Sequence, residues 1–309
     1  WMAFLIVFLI AKVGFSASLI FYDSMLSDIT DEERMDYVSS QGYAWGYIGS
    51  CVPFVLCLVI VLGSDTLGIH METAMGIAFV LVAVWWLLMS LPLLKNYEQK
   101  YYVEKKPHAI AQSFKRLGET FKNMKEEKQV FMFLLAFFFY IDGVYTIIDM
   151  ATAYGSALGL DSTGLLLALL VTQIVAFPCA IIFGNLSYRI RTEKLIIVCI
   201  FAYLGIAIFA VFLKTQLQFW ILAILVGMFQ GGIQALSRSY FTKIIPEEHS
   251  GEYFGLMDIC GKGASFVGTT IVSIVSQLTG NISMGVGMIA ILFCIGIVIF
   301  LKAVSMSRN

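Results

Sequence analysis

KNYEQKYYVEKKPHAIAQSFKRLGETFKNMKEEK, residues 95–128, is the one long polar stretch in an otherwise apolar sequence. It carries nine Lys/Arg and five Glu, and no apolar run inside it could enter a bilayer. A hydrocarbon core of about 30 Å takes about 20 apolar residues to cross as helix. Three stretches before it meet that length, at 2–22, 42–62 and 73–93. Six meet it afterwards, at 129–151, 164–184, 194–213, 217–240, 254–278 and 282–302. The expected fold is therefore all-α, a polytopic transmembrane helix bundle with nine spans. The polar stretch divides it into residues 1–94 with three spans, a linker at 95–128, and residues 129–309 with six.

Composition agrees. A hydrophobic content of 59% and a mean hydropathy of +0.86 lie far outside the soluble range, so the chain is expected to be an integral membrane protein. The linker is too acidic to bind nucleic acid. The six cysteines sit in apolar runs without a CxxC pair and read as small buried hydrophobes. His70, His108 and His249 lack metal-ligand spacing. No Ser-His-Asp set or phosphate-cradling loop is evident. Neither a metal, a cofactor nor an enzyme activity is expected, and membrane lipid is the obligatory partner. Trp1 leads straight into a span with no basic n-region or cleavage site, which is not a signal peptide. The reading is of a fragment that opens inside a membrane segment. Three further spans would make both halves six.

Orientation follows from the basic residues. Arg34, the linker, Arg189, Arg191, Lys194, Arg238, Lys243, Lys302 and Arg308 fall on one side. Lys214 stands alone on the other, and Lys12 and Lys262 lie inside spans. The linker is therefore expected to be cytoplasmic and the 63–72 connection external. Within the linker, Ile110, Phe114, Leu117, Phe121 and Met124 line one face of a helix. It lies on the inner leaflet or packs as a solvated linker helix. Thr30 and Glu33 have capping-box spacing for a short helix. Gly42 and Gly46 in the second span, and Gly251 and Gly255 at the eighth, form a weak repeat. Small residues at that spacing let helices approach closely in lipid, and repeats of this kind mark secondary transporters.

Gly184-Asn-Leu-Ser-Tyr188-Arg189-Ile-Arg191-Thr-Glu-Lys194 resembles the inter-helix motif of the major facilitator superfamily. Tyr188 stands where that motif has an acid, and Arg191 where it has a second glycine. Other stretches resemble one branch of it, the autophagy-related vacuolar effluxer family. These are Phe21-Tyr22-Asp23-Ser24-Met25-Leu26-Ser27-Asp28 with Gly42, Gly46-Tyr47 and Gly49, then Asp142-Gly143-Val144 with Thr146-Ile147-Ile148. Gln230-Gly-Gly-Ile-Gln234-Ala-Leu-Ser-Arg238-Ser239 follows, with Ile245-Pro246, Glu252-Tyr253-Phe254-Gly255 and Gly261-Lys262. The resemblance implies a major facilitator fold in which the nine spans are helices four to twelve. It also implies alternating-access transport, with amino acids the substrate class it favours. The membrane would be a plasma or bacterial inner membrane, or the vacuolar membrane in a fungus.

An ionisable group at mid-bilayer costs about 2.5–3.5 kcal/mol on insertion scales, so each needs a reason. Lys12 sits at the middle of the first span, with Ser16 and Asp23 on its face. Asp142 lies near the middle of the fourth, with Tyr145, Thr146 and Asp149 following. Gln230 and Gln234 flank a Gly-Gly in the seventh. In the family fold these three spans line a central cavity, so their polar faces are expected to meet there, with Lys12 opposite Asp142. The plainer alternatives are that Lys12 snorkels, that Asp142 bonds between helices, and that the two amides glue helices together. Asp258 and Lys262 have the spacing of an intrahelical pair. With Asp23, Gly184 and Arg189 they are assigned structural or gating roles. The expected function is secondary transport of a small polar solute, coupled to a proton or sodium ion. A non-transporting scaffold or receptor of the same fold is the alternative, and it could fill the cavity that a transporter must keep open.

Overall fold

The computed structural model describes residues 2–101, 118 and 127–306. Among them are nine helices long and apolar enough to cross a membrane. We label them α1 (Met2–Ser24), α2 (Met35–Leu62), α3 (Met71–Asn96), α4 (Lys128–Ala157), α5 (Ser162–Leu186), α6 (Thr192–Val211), α7 (Gln216–Ile244), α8 (Ser250–Thr279) and α9 (Ile282–Met306). Helix is the form lipid demands, because each backbone polar group is then satisfied within its own segment. The chain alternates direction. The ends of α1 and α3 and the starts of α2, α4 and α6 therefore share one face with the 97–101 segment, here called the linker face.

Two terminal signals fix α5 and α7. Asp161 caps α5, its Oδ2 accepting the Gly164 N–H at 2.6 Å. Thr215 and Gln218 form a reciprocal capping box at α7. The capping box expected at Thr30 and Glu33 does not form. The turn at Glu32–Arg34 is 3-10, preceded by Asp31, and runs directly into α2, so no free helix start awaits Thr30. The amphipathic pattern of 110–124 lies outside the described residues.

The helices of the last six pack in a small-residue scheme suited to lipid, where hydrophobicity alone cannot hold helices together. On α7, a Cβ at Gly227 would stand 2.7 Å from the Thr172 carbonyl oxygen of α5. One at Gly231 would meet Ala180, and one at Gly232 would overlap the Phe183 ring. On α9, Gly296 lets the backbone of Tyr140 approach, and on α4 Gly143 receives Phe293. An aromatic cluster fills the linker-side core. Phe133 of α4 lies 5.2 Å from Tyr240 and 5.5 Å from Phe241 of α7, with Phe300 of α9 alongside. Of the repeat glycines, Gly42 alone sits against another helix; a Cβ at Gly46, Gly251 or Gly255 would meet nothing within 4 Å.

The first three helices are less enclosed. No residue of α1 is buried, and only Ala74 of α3 is. α2 does the joining, packing on α3, α5 and α7. It begins at Met35, well before the apolar run at 42, because its first two turns are polar on one side and face protein instead of lipid.

Gly227→Val should lower the unfolding temperature of the detergent-solubilised protein, because the atom it strikes is backbone and cannot turn away. Overpacking of this kind costs about 1–3 kcal/mol. Gly205→Val, whose added Cβ meets nothing within 4 Å, serves as the control and should leave the transition in place.

Candidate functional site

α2 presents Asp36, Ser39, Ser40, Tyr43 and Tyr47 at spacings of one helical face. α7 answers with Gln234, Ala235, Arg238, Ser239 and Lys243. Where the two stripes meet, the first three helices are bonded to the last six by side chains that are mostly buried.

Arg238 is the centre of this seam and is 4% exposed. Its Nη1 donates to Asp23 Oδ1 of α1 at 3.0 Å. Its Nε and Nη2 donate to the hydroxyl and carbonyl of Ser39 at 2.9 and 3.0 Å. The guanidinium lies over the rings of Tyr43 and Tyr22, 4.7 and 5.4 Å from their centroids. Cation–π contact of this kind strengthens when water is excluded. Gly42 makes the space, since a Cβ there would stand 2.9 Å from the Tyr22 hydroxyl and 3.2 Å from Arg238 Nη2. Ser39 also donates to the Ala235 carbonyl at 2.7 Å.

Toward the linker face a second buried carboxylate repeats the arrangement. Asp36 accepts from Lys243 Nζ at 2.7 Å, from Thr192 at 2.6 Å and from Ser239 at 2.5 Å. Thr192 opens α6, so this one carboxylate ties α2 to both α6 and α7. Deeper in, Tyr47 donates to Gln234 Oε1 at 2.6 Å. An ion pair taken out of water holds only if its geometry is good and its remaining bonds are satisfied. Both carboxylates meet that condition with partners on the opposite side of the seam. Neither set of bonds belongs to a helix's own backbone ladder, and together they join the helices at the linker face; we call the joined stripes the latch.

Asp142 is fully buried on α4, and it is not in the latch. Its Oδ1 accepts the Gly268 N–H of α8 at 3.0 Å and the Thr146 hydroxyl at 3.2 Å. A side chain at Gly268 would overlap both groups. Asp142 Oδ2 is buried with no hydrogen-bond partner among the described residues. Asp23, Asp36 and Asp258 each have a cation, in Arg238, Lys243 and Lys262. Asp142 has none.

The expected convergence is only partly seen. Lys12 is exposed on α1, its ammonium 5.9 Å from the Phe15 ring centroid, and it makes no direct pair with Asp142. The reason is rotational: Asp142 projects from α4 toward α8, not toward α1. Ser16 and Tyr145 are half-buried. Asp149, on the exposed side of α4, accepts from Ser265 at 3.0 Å. Gln234 turns to α2, and Gln230 is buried with its Oε1 unpartnered. Asp258 and Lys262 form the expected intrahelical pair at 2.6 Å. Gly184 seats α5 on α2, where a Cβ would stand 2.7 Å from that of Ser40. Arg189 is exposed, and Tyr188, in the acid's place in the motif, lies 5.9 Å from the Tyr37 ring of α2. Asp36, Ser39 and Thr192 were missed, Arg238 and Lys243 were read as linker-side charges, and Arg238 and Ser239 otherwise entered only through the family resemblance. The available signal was a set of charged and hydroxyl residues at helical spacing just beyond the apolar runs.

The vacuole effluxer Atg22-like family model matches residues 1–309. The chain belongs to that family. An uncharacterised major facilitator-type transporter of Bacillus subtilis, YxiO, is 46% identical over 301 residues, which are 97% of this chain and 70% of that protein. Autophagy-related protein 22 of Botryotinia fuckeliana is 25% identical over 88% of this chain and 50% of its own length. The chain thus spans about half the length of that fungal relative. In fold it matches the Escherichia coli fucose:proton symporter FucP with a TM-score of 0.65 at 16% identity, over 91% of this chain and 72% of that one. A bacterial homologue of the iron transporter ferroportin, in an outward-facing state, matches with a TM-score of 0.59 at 15% identity, over 90% and 66%. The fold is the major facilitator fold, and the protein is an integral membrane member of a family of major facilitator-type transporters.

Asp36→Asn should destabilise the folded protein by about 3–5 kcal/mol, because it leaves a partly buried Lys243 without its counter-charge. Breaking the surface Arg191–Glu193 pair by Arg191→Met should leave the transition nearly in place. Thermal unfolding of the two variants in the same detergent compares them.

Proposed function

We propose that this chain acts in transport of a small polar solute across a membrane by alternating access, with Asp142 taking up the coupling proton. The observation that carries the transport reading is the polar seam at one face, where ion pairs join α1 and α2 to α7 and a hydrogen bond joins α2 to α6. Family membership supports it. A scaffold would gain nothing from holding charge at an interface that apolar residues of similar volume could fill.

Asp142 is the coupling group because it is fully buried in its span with Oδ2 unpartnered and no cation among the described residues, whereas Asp149, which also has no ion pair there, is exposed and bonds Ser265. Burying an ionised carboxylate alone is costly. A proton on Oδ2 removes that charge and leaves the bonds to Gly268 and Thr146 in place. When α8 moves away from α4, the Gly268 contact is lost and water can reach the carboxyl. Proton release and helix motion are thereby linked. Sodium is the competing ion, and a carboxylate with a neighbouring hydroxyl is a partial site for it.

The linker face is read as cytoplasmic from the placement of Lys and Arg. Amino acids are the solutes to try first, a class favoured by the family resemblance. Sugars follow, since the fucose:proton symporter shares the fold. Gln230 and Gln234 would offer neutral hydrogen bonds, with Lys12, Ser16, Tyr145 and Asp149 along the route.

In proteoliposomes of the full-length protein, uptake should follow an imposed proton gradient and not a sodium gradient. Asp142→Asn should abolish gradient-driven uptake while solute exchange persists. Parent-like accumulation by Asp142→Asn would assign the carboxyl to packing. For orientation, an impermeant thiol reagent should label Asp65→Cys in intact cells and spare Glu98→Cys, both positions being exposed. The reverse pattern would invert the topology.

A further inference from the structure

α3 ends at Asn96, and the chain turns back across the linker face with Tyr97 in extended conformation. It does not leave the protein there. It docks on Asp28, which belongs to the short helix Leu26–Ile29 between α1 and α2 and is 4% exposed. The Tyr97 phenol donates to Asp28 Oδ2. The backbone N–H groups of Lys100 and Tyr101 donate to Oδ1 at 3.1 and 2.9 Å. A single buried carboxylate thus accepts three bonds from five residues of chain, two of them from backbone. Charge-assisted bonds of this kind are about twice as strong as neutral ones.

The same segment reaches the other side of the seam. The Tyr101 phenol lies close enough to Glu247, in the turn before α8, for that carboxylate to push its pKa up. Burial and the Asp28 carboxylate push the Tyr97 phenol up as well. Both phenols therefore stay protonated and able to donate at any physiological pH. Beneath the segment lies a cavity of about 280 Å³. Phe21 of α1, Met25 just after it, Tyr97 and Tyr101 of the segment, and His249 with Ser250 at the start of α8 are among its walls. Ser250 donates to the Ser24 carbonyl at 3.4 Å, the direct protein contact under the segment. The seam here is hollow, and the segment spans it.

We propose that residues 97–101 are a strap, anchored by Asp28, that ties the first three helices to the turn before α8 and holds the linker face shut. The inference rests on the alternating-access reading, because a strap matters only if that face opens. Its consequence is that the start of the linker takes part in gating. Release of Tyr97 and of two backbone amides from Asp28 must accompany opening. Force or charge applied to the linker would then be transmitted to the seam through Asp28.

The test is a distance measurement on the full-length protein, with the native cysteines replaced and spin labels on Glu33→Cys and Glu248→Cys, both exposed, one in the turn before α2 and the other in the turn before α8. The strap predicts a dominant short distance in the parent. Tyr97→Phe should raise the open-to-closed population ratio about tenfold, the change expected from one lost hydrogen bond to a charged acceptor. Asp28→Ala should raise it further. Should Asp28→Ala not fold, Tyr97→Phe alone decides. Lys243→Ala, which cuts the latch and leaves the strap, is the reference. If it opens the face and the strap variants do not, the strap is wrong and alternating access stands. If none of them opens the face, both readings fall.

Discussion

A charge in a bilayer must find a partner before its helix can settle, and Arg238 shows how far that constraint reaches. Its guanidinium is buried inside α7, and no group on α7 itself neutralises it. The carboxylate comes from α1, at Asp23, and two further acceptors come from Ser39 of α2. One side chain therefore fixes three helices at once. It dictates that position 42 be glycine, because the guanidinium lies where a Cβ would point. It explains why Tyr22 and Tyr43 bracket the charge with ring faces. It also explains why α2 starts at Met35, since its first turns must carry Asp36 and Ser39 into the seam. Asp36 meets the same demand with Lys243 and two hydroxyls one layer nearer the linker face.

The spans were legible because lipid imposes a length and a composition on each, and nine segments met both. Their ends were not, because an apolar-length rule stops at the first polar residue. Asp36 and Ser39 fall just before the run at 42, and Lys243 just after the run that ends at 240, so the apolar rule placed them in connections. Helix geometry extends to them nonetheless, since they face protein. Arg238 shows the second limit. Counting Lys and Arg by side gave the right face but not the burial, which depends on a carboxylate 215 residues away in sequence. Local pairs fared better. Asp258 and Lys262 were readable as i, i+4 because both partners sit on one helix. Asp142 was readable as unusual, yet the direction it points depends on the rotation of α4 against α8. That rotation is set by the close approach at Gly268, whose missing side chain carries no pattern of its own.

The glycine contacts and the ion pairs divide the work of holding the bundle. Between α4 and α9, and between α5 and α7, backbones approach so closely that a single Cβ cannot be admitted. Such contacts gain from dispersion across many atoms and have no substitute if the helices part. The seam between α2 and α7 is different in kind. Its bonds are polar, and water can replace every one of them: the hydroxyls of Ser39 and Ser239, the carboxylates of Asp23 and Asp36, the amide of Gln234. The net cost of exchanging such bonds for water is small compared with their gross strength.

That difference locates where the molecule can move. A cleft opens where the separating surfaces can be hydrated, and the polar stripe of α2 and α7 is such a surface. Movement also needs a place that stays in contact. The interface of α2 with α5 provides one, in a small cluster of Ala44, Tyr47, Ala176 and Ala180 apart from the main core. Trp45 and Phe177 pack beside these alanines with ring centroids 5.6 Å apart, and Gly184 seats against Ser40 toward the linker face. On the alternating-access proposal, α2 keeps this close contact with α5 while its polar stripe parts from α7. The two faces of α2 could not be exchanged. Alanines facing α7 would leave Arg238 without acceptors. Charges facing α5 would be buried without partners.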